Sequence, residues 1–214
     1  MKTDFLQKHA DFFLIFAFFA VPPIFISSQS SFSPAAPLLS LIVYIALSAY
    51  ILVKSKFGKN NFKAFSVVNS FLLLCMLLVN AKTWDFATIL FSKTQSELTK
   101  TIPEGFWENA YIVFSIFISA LYEELLFRKF LPEGAFSFVK NFSKTAVNAK
   151  ITRICTEIAI IMIFALGHRY LGVWAVLNAF TAGCILRFFC IRTGSFISGF
   201  TAHFVYNLIV FFVL

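Results

Sequence analysis

Long apolar runs broken by short polar stretches make up most of the chain. A helix needs about 20 mostly apolar residues to cross a bilayer. Seven runs approach that length: 10–26, 35–53, 64–81, 107–131, 154–168, 171–191 and 195–214, the fifth being the shortest. The pattern predicts an all-α, polytopic membrane bundle of about seven transmembrane helices. Pro22 and Pro23 should kink the first span near its outer end. Lys2 and Lys8 precede that span as in a signal peptide, but no A-x-A-like site follows it, so it reads as a retained span. Residues 82–108 mix both charge signs and hold Trp84 and Trp107 near their ends. They read as an outer loop with interfacial helical pieces, its tryptophans at headgroup level.

Composition supports the membrane reading. Of 214 residues, 59% are hydrophobic and 13% charged, with 31 Phe. An average soluble domain is about 45–50% apolar and about 25% charged. A soluble globule of this size cannot hide so much apolar surface, and disordered, collagen-like and disulfide-scaffold classes fail on the same figures. Cys75, Cys155, Cys184 and Cys190 sit in apolar runs without a C-x-x-C pair and read as small core hydrophobes.

The net charge of +8 gains its meaning from its distribution. With the N-terminus cytoplasmic, fourteen Lys and Arg fall on the inner side, and Lys82, Lys93, Lys100 and Arg169 on the outer. That asymmetry satisfies the positive-inside rule. The expected location is a multi-pass plasma (inner) membrane, N-terminus in the cytoplasm and C-terminus outside, with the lipid bilayer rather than nucleic acid as partner. Residues 140–153, basic and without an acid, should lie against the anionic cytoplasmic face.

Ionisable groups within a span cost roughly 2.5–3.5 kcal/mol each on insertion scales and default to functional hypotheses. The first three spans are nearly free of polar groups, with Asn69 set among apolar neighbours. The last four carry Glu123, Glu124, Arg128, Glu157, His168, Arg187, His203 and Asn207. The chain therefore divides into an N-terminal region of three spans and a loop, 1–106, and a four-span unit carrying the chemistry, 107–214.

In LYEELLFRKF, Glu124 and Arg128 stand at i and i+4 with the acid first, the favourable order for an ion pair. Glu123 is rotated by about 100° and has no evident local partner, as suits a proton-transfer group. The alternative is a structural ion cluster that ends the span before Pro132. FALGH puts Phe164 and His168 on one stripe, which Glu157 shares three turns earlier. A lone His near a span end is more often interfacial than catalytic. In the last span His203 and Asn207 lie one turn apart, and Ser195 and Gly199 continue their ridge. Small residues there let a neighbouring helix approach, so His203 and Asn207 should face the bundle, as a structural hydrogen-bond pair or as oxyanion donors.

EELLFR, FALGH and HFVYN fit E-E-x-x-x-R, F-x-x-x-H and H-x-x-x-N in that order. Over residues 107–214 the chain resembles the CAAX-protease and bacteriocin-processing (CPBP, or Abi) intramembrane proteases. The resemblance implies an intramembrane endopeptidase acting on a membrane-associated protein or peptide. Glu123 would activate water and His168 would help position it. His203 and Asn207 would stabilise the oxyanion, and Glu124 with Arg128 would brace the site. Lys129 departs from the small residue the family often has there, which bears on packing only. Glu123, His168 and His203 could supply three zinc ligands with a fourth position open for water; the resemblance favours a metal-free, glutamate-type peptidase, with no cofactor.

Two expectations complete the reading. For Glu123 to meet His168, residues 130–138 should also be embedded, moving the inner membrane edge to about Lys140 and burying Arg128; Pro132 and Gly134 would break that helix where it lines a cavity. The cavity itself is expected to open to the cytoplasm or the inner leaflet, lined by Tyr122, Phe127, Phe164 and Tyr206. The competing functions are a non-catalytic immunity or scaffold protein and, more weakly, a small proton-coupled transporter, for which inverted repeats are missing. Compact length points to a prokaryotic membrane rather than the ER.

Overall fold

The computed structural model describes residues 2–25, 31–32, 35–54, 66–91, 99–100, 103–140 and 146–213. Its helices are α1 (Lys2–Ile15), α2 (Leu38–Lys54), α3 (Val67–Phe91), α4 (Phe106–Leu125), α5 (Leu131–Lys140), α6 (Ala146–Leu166), α7 (Val173–Thr193) and α8 (Ile197–Phe212). A two-residue parallel pairing, Ser31–Phe32 with Thr99–Lys100, is the sole sheet among the described residues. Three helices are long and apolar enough to cross a membrane: Val67–Phe91, Phe106–Lys140 and Val173–Thr193. Shorter apolar helices cover His9–Phe25, Leu38–Lys54 and Ile197–Phe212. The all-helical membrane class is as expected.

Two prolines are accommodated by the same device. A π-helical turn, Phe16–Ala20, precedes Pro22, and Val21 N–H donates to Phe16 C=O five residues back. A second π-turn, Leu126–Phe130, precedes Pro132, and Leu131 N–H donates to Leu126 C=O. A proline ring clashes with the carbonyl four residues earlier and brings no N–H to it. Widening the preceding turn moves that carbonyl aside. The first span carries this turn and ends in the short 3₁₀ turn Pro22–Phe25. The expectation of a break at Pro132 and Gly134 is corrected: helix runs from Phe106 to Lys140, and the π-turn absorbs the proline. Of residues 130–138, expected to be embedded, Leu131, Pro132 and Ala135 are buried against the bundle. Gly134 lies against the Phe12 ring, which a Cβ there would meet at 2.6 Å.

One loop assignment also changes. Residues 82–91, expected in the outer loop, are the last turns of α3. Thr83 and Thr88 return their hydroxyls to the carbonyls of Val79 and Trp84, and Trp84 Nε1 donates to Thr181 Oγ1 at 2.9 Å. Trp84 is thus held by α7, while Trp107 is exposed. Of residues 140–153, expected as a basic stretch at the surface, 146–153 form the first turns of α6, with Lys150 and Arg153 exposed. The seventh run, 195–214, forms α8 within those bounds.

Side-chain contacts define two ends of the bundle. At one, Lys54 pairs with Asp11, Phe138 packs on Phe13, Arg153 covers Phe136, and the Ser66 N–H donates to Ser198 Oγ. At the other, Tyr111 donates to the Ala36 carbonyl, Phe91 stacks on Trp174, and Gly167 approaches Pro23. The first gathers the last turns of α1 with the starts of α3, α6 and α8; the second, the starts of α2, α4 and α7.

Candidate active site

Glu123 and Glu124 occupy the last turn of α4, just before the second π-turn. Their neighbours differ as the 100° step predicts. Glu124 is fully buried, and its Oε1 lies 3.7 Å from Arg128 Nε, also fully buried. Glu123 keeps about a quarter of its side chain exposed. The Arg128 guanidinium sits 4.4 Å from the centre of the Phe164 ring, and among the described residues its nitrogens have no hydrogen-bond partner. The charge is offset by the Glu124 carboxylate and the ring face, both of which gain strength in a dry site.

From α8, His203 faces both acids. Its Nδ1 is 3.0 Å from Glu124 Oε1. An ionised carboxylate only accepts, so Nδ1–H is the donor. The remaining nitrogen, Nε2, lies 3.9 Å from Glu123 Oε2. Gly199, one turn earlier, makes the approach possible: a Cβ there would lie 3.2 Å from Glu124 Oε2. The ridge of small residues on the last span therefore makes room for a carboxylate.

His168 follows α6 in the turn that closes it. Its Nδ1 lies 3.0 Å from the Phe164 carbonyl, and since a carbonyl only accepts, Nδ1 carries the proton. Nε2 is left with a lone pair. The two residues of F-x-x-x-H are thus linked, the Phe ring under Arg128 and its carbonyl fixing the histidine tautomer.

One cavity of about 750 Å³ is lined by Glu123, His168, His203 and Asn207 together. Glu124 and Arg128 lie behind its wall. Of the expected lining aromatics, Phe164 and Tyr206 face it; Tyr122 and Phe127 do not, being packed in the apolar core. Tyr44, Tyr170 and Asn178 line it as well, unanticipated from sequence. Tyr44 comes from α2 and stacks on Tyr122 at 4.3 Å, so the first half of the chain contributes a wall. Behind Asn178 runs a polar chain that sequence reading passed over. Asn80 Nδ2 donates to Asn178 Oδ1 at 2.6 Å, and Thr181 Oγ1 donates to Asn80 Oδ1 at 2.6 Å. The signal was Asn80 itself, a second amide after Asn69 in a mostly apolar span.

The cavity runs from Glu123 to the end of the bundle formed by Ala35, Pro37, Leu171 and Phe211. That is the end opposite the Lys54–Asp11 pair and Arg153. The cavity therefore does not extend to the end that carries Lys54, Lys140 and Arg153, towards which it was expected to open. The physical basis is the length of α4–α5: Glu123 is followed by 17 residues of helix to Lys140, about 26 Å at the α-helical rise. Apolar packing of Leu125, Leu126 and Leu131 fills the space on that side.

Glu157 and Arg187 do not reach the cavity. Arg187 Nε and Nη2 donate to the two Glu157 oxygens at 2.6 and 2.5 Å, a bidentate pair between α6 and α7. Arg187 Nη1 donates to the Arg128 carbonyl, and Cys190 Sγ lies 3.8 Å from the same oxygen. Pro132 cannot donate to that carbonyl, so these two side chains take its place.

Among the described residues no three His, Cys, Asp or Glu side chains are disposed to hold a metal ion. In the set Glu123, His168 and His203, Nδ1 of each histidine is committed to the protein, to Phe164 and to Glu124, and Nε2 is the nitrogen left for a ligand.

Residues 105–209 match the family described as type II CAAX prenyl endopeptidase Rce1-like. This half of the chain belongs to the Rce1-like family. No curated protein and no solved structure matches the chain. The matched segment holds all three motifs, and the Rce1-like assignment carries with it CAAX-type intramembrane protease activity and a protein or peptide substrate at the membrane.

Proposed function

We propose that the chain is a glutamate-type intramembrane endopeptidase in which Glu123, His168, His203 and Asn207 act on one peptide bond, braced by Glu124 and Arg128. The observation that supports this most is the convergence of those four side chains, from α4, the α6 turn and α8, on one cavity.

Glu123 and the lone pair on His168 Nε2 hold a water between them. Glu123 takes a proton from it as hydroxide adds to the carbonyl carbon of the scissile bond. The carbonyl oxygen gains the negative charge and is met by Asn207 Nδ2–H and by His203 Nε2–H, the histidine being cationic and its other N–H held by Glu124. Donors fixed before reaction in a low-dielectric site cost no reorganisation, and removing one such donor typically costs 10²–10³ in kcat. The protonated Glu123 then gives its proton to the amide nitrogen as the C–N bond breaks, leaving a carboxylic acid and an amine.

The test is Glu123→Gln, which keeps size and hydrogen bonding but cannot take the proton. Membrane proteomics of cells carrying this variant should show at least one protein accumulating uncut, with the variant as stable as the parent. A scaffold or immunity protein would keep its phenotype through this substitution.

A further inference from the structure

We infer that Asn178 and Tyr206 form a binding subsite for a carbonyl oxygen of the substrate's peptide chain, one or two residues from the scissile bond, and that Asn80 and Thr181 are the positioning residues that aim it. The inference rests on the proteolytic reading for its substrate; the subsite itself follows from the polarity of the hydrogen bonds behind it.

Groups that only accept or only donate fix the direction of each bond between α3 and α7. Asn80 Nδ2 lies 3.2 Å from the main-chain carbonyl of Asn178. A carbonyl only accepts, so the Asn80 atom facing it is the amide nitrogen. The same nitrogen is 2.6 Å from the Asn178 side chain, whose facing atom is therefore its oxygen. On the far side, the Trp84 indole N–H donates to Thr181 Oγ1 at 2.9 Å, and that hydroxyl gives its proton to Asn80 Oδ1 at 2.6 Å. With Oδ1 of Asn178 held by Asn80, its Nδ2 is turned the other way. There it stands 3.5 Å from the Tyr206 hydroxyl.

Asn178 and Tyr206 both line the cavity that holds Glu123 and His203. Their one mutual contact is at the outer limit for a hydrogen bond. It leaves a second amide hydrogen and the phenol proton for a ligand. Two neutral donors side by side match a neutral acceptor, and a peptide carbonyl is one. Amides and hydroxyls also tie spans together as structural glue, but that role is complete at Asn80 and Thr181. The extension to Asn178 and Tyr206 ends in donors that face a cavity.

Spacing agrees with a bound peptide. Tyr206 is three residues beyond His203 on α8, about 4.5 Å along the helix axis. An extended chain advances about 3.3 Å per residue. A peptide whose scissile carbonyl meets His203 and Asn207 thus brings a nearby carbonyl to Asn178 and Tyr206. Asn80 and Trp84 lie on α3, outside the matched residues 105–209, so the first half of the chain orients a donor in this cavity.

The experiment starts from cut sites missing in membranes of Glu123→Gln cells, mapped by N-terminal peptide sequencing. A peptide spanning one of them is the probe for the purified parent and variants, each checked for its unfolding transition in detergent. Asn178→Leu keeps the size of the side chain and leaves Asn80 its main-chain acceptor; Tyr206→Phe removes one oxygen. Each should raise KM about 3–10-fold, the scale of one or two neutral hydrogen bonds. Turnover should stay unchanged, as when an interaction equal in ground and transition states is lost. Asn80→Leu should raise KM likewise and add little on top of Asn178→Leu, since both act on one donor. Replacing the probe's amides one at a time by an E-alkene, within two residues of the cut, should reveal a position where the Asn178→Leu penalty disappears. KM unchanged in both Asn178→Leu and Tyr206→Phe, a loss carried by kcat instead, or a penalty that persists at every alkene position overturns the inference and leaves the protease reading intact. No cut site missing in Glu123→Gln cells would sink the proteolytic reading and the subsite with it.

Discussion

Glu124 does the least visible work of the acids and has the sharpest consequences. It holds His203 Nδ1–H and balances Arg128 from a fully buried position. Glu124→Gln can still occupy the space, but it no longer favours a cationic His203. We expect at least a 10²-fold loss of turnover, the scale of a lost oxyanion donor, with binding of substrate little changed. Arg128→Met should instead cost stability, about 3–5 kcal/mol, because it strands a buried carboxylate; chemical denaturation in detergent measures it. Gly199→Ala puts a Cβ at 3.2 Å from Glu124 Oε2, and should lower activity several-fold by turning that carboxylate away from His203. At this scale the sequence was most legible. The step of about 100° between neighbouring helical residues separated Glu123 from Glu124, and i,i+4 spacing paired Glu124 with Arg128. It did not reveal that His203 would join that pair, since a contact across 79 residues is set by packing alone.

Among elements, the join between α4 and α5 matters most. Sequence predicted a broken helix there because Pro132 lacks a donor and Gly134 follows. A proline has a second solution, a π-turn just before it, and the chain uses it twice, before Pro22 and before Pro132. Nothing in the apolar pattern distinguishes the two outcomes. What decides is whether another element can serve the freed carbonyl, and at Arg128 that element is α7, through Arg187 and Cys190. Arg187→Met should therefore do more than break the Glu157 pair. We expect a loss of about 3–5 kcal/mol from the stranded Glu157, and Glu157→Gln combined with Arg187→Met should recover part of it in the same denaturation experiment. Helix ends near Lys82 and Lys150 were hard to read for a related reason: charged residues mark a surface, yet a helix can continue through a surface when another packs beside it, as α7 does beside Trp84.

At the scale of the whole molecule, the apolar exterior and the polar interior have exchanged their usual places. Phe71, Phe86 and Phe188 are each about 60% exposed, a surface suited to lipid, while acids, histidines and amides are drawn to one cavity. The class was legible because 59% hydrophobic residues admit few other solutions. The direction of the cavity was not, because it depends on how deep each helix sets its polar residues and which end the core fills. Under the glutamate-type reading, peptide cleavage should survive exhaustive chelation; zinc bound in stoichiometric amount and lost together with activity would contradict this. The most direct test of the account is cleavage by purified, folded Glu123→Gln, assayed against a protein found to accumulate uncut in cells carrying that variant. The account predicts no cleavage by Glu123→Gln above background while its unfolding transition matches that of the parent chain. Cleavage at the parent's rate would contradict it.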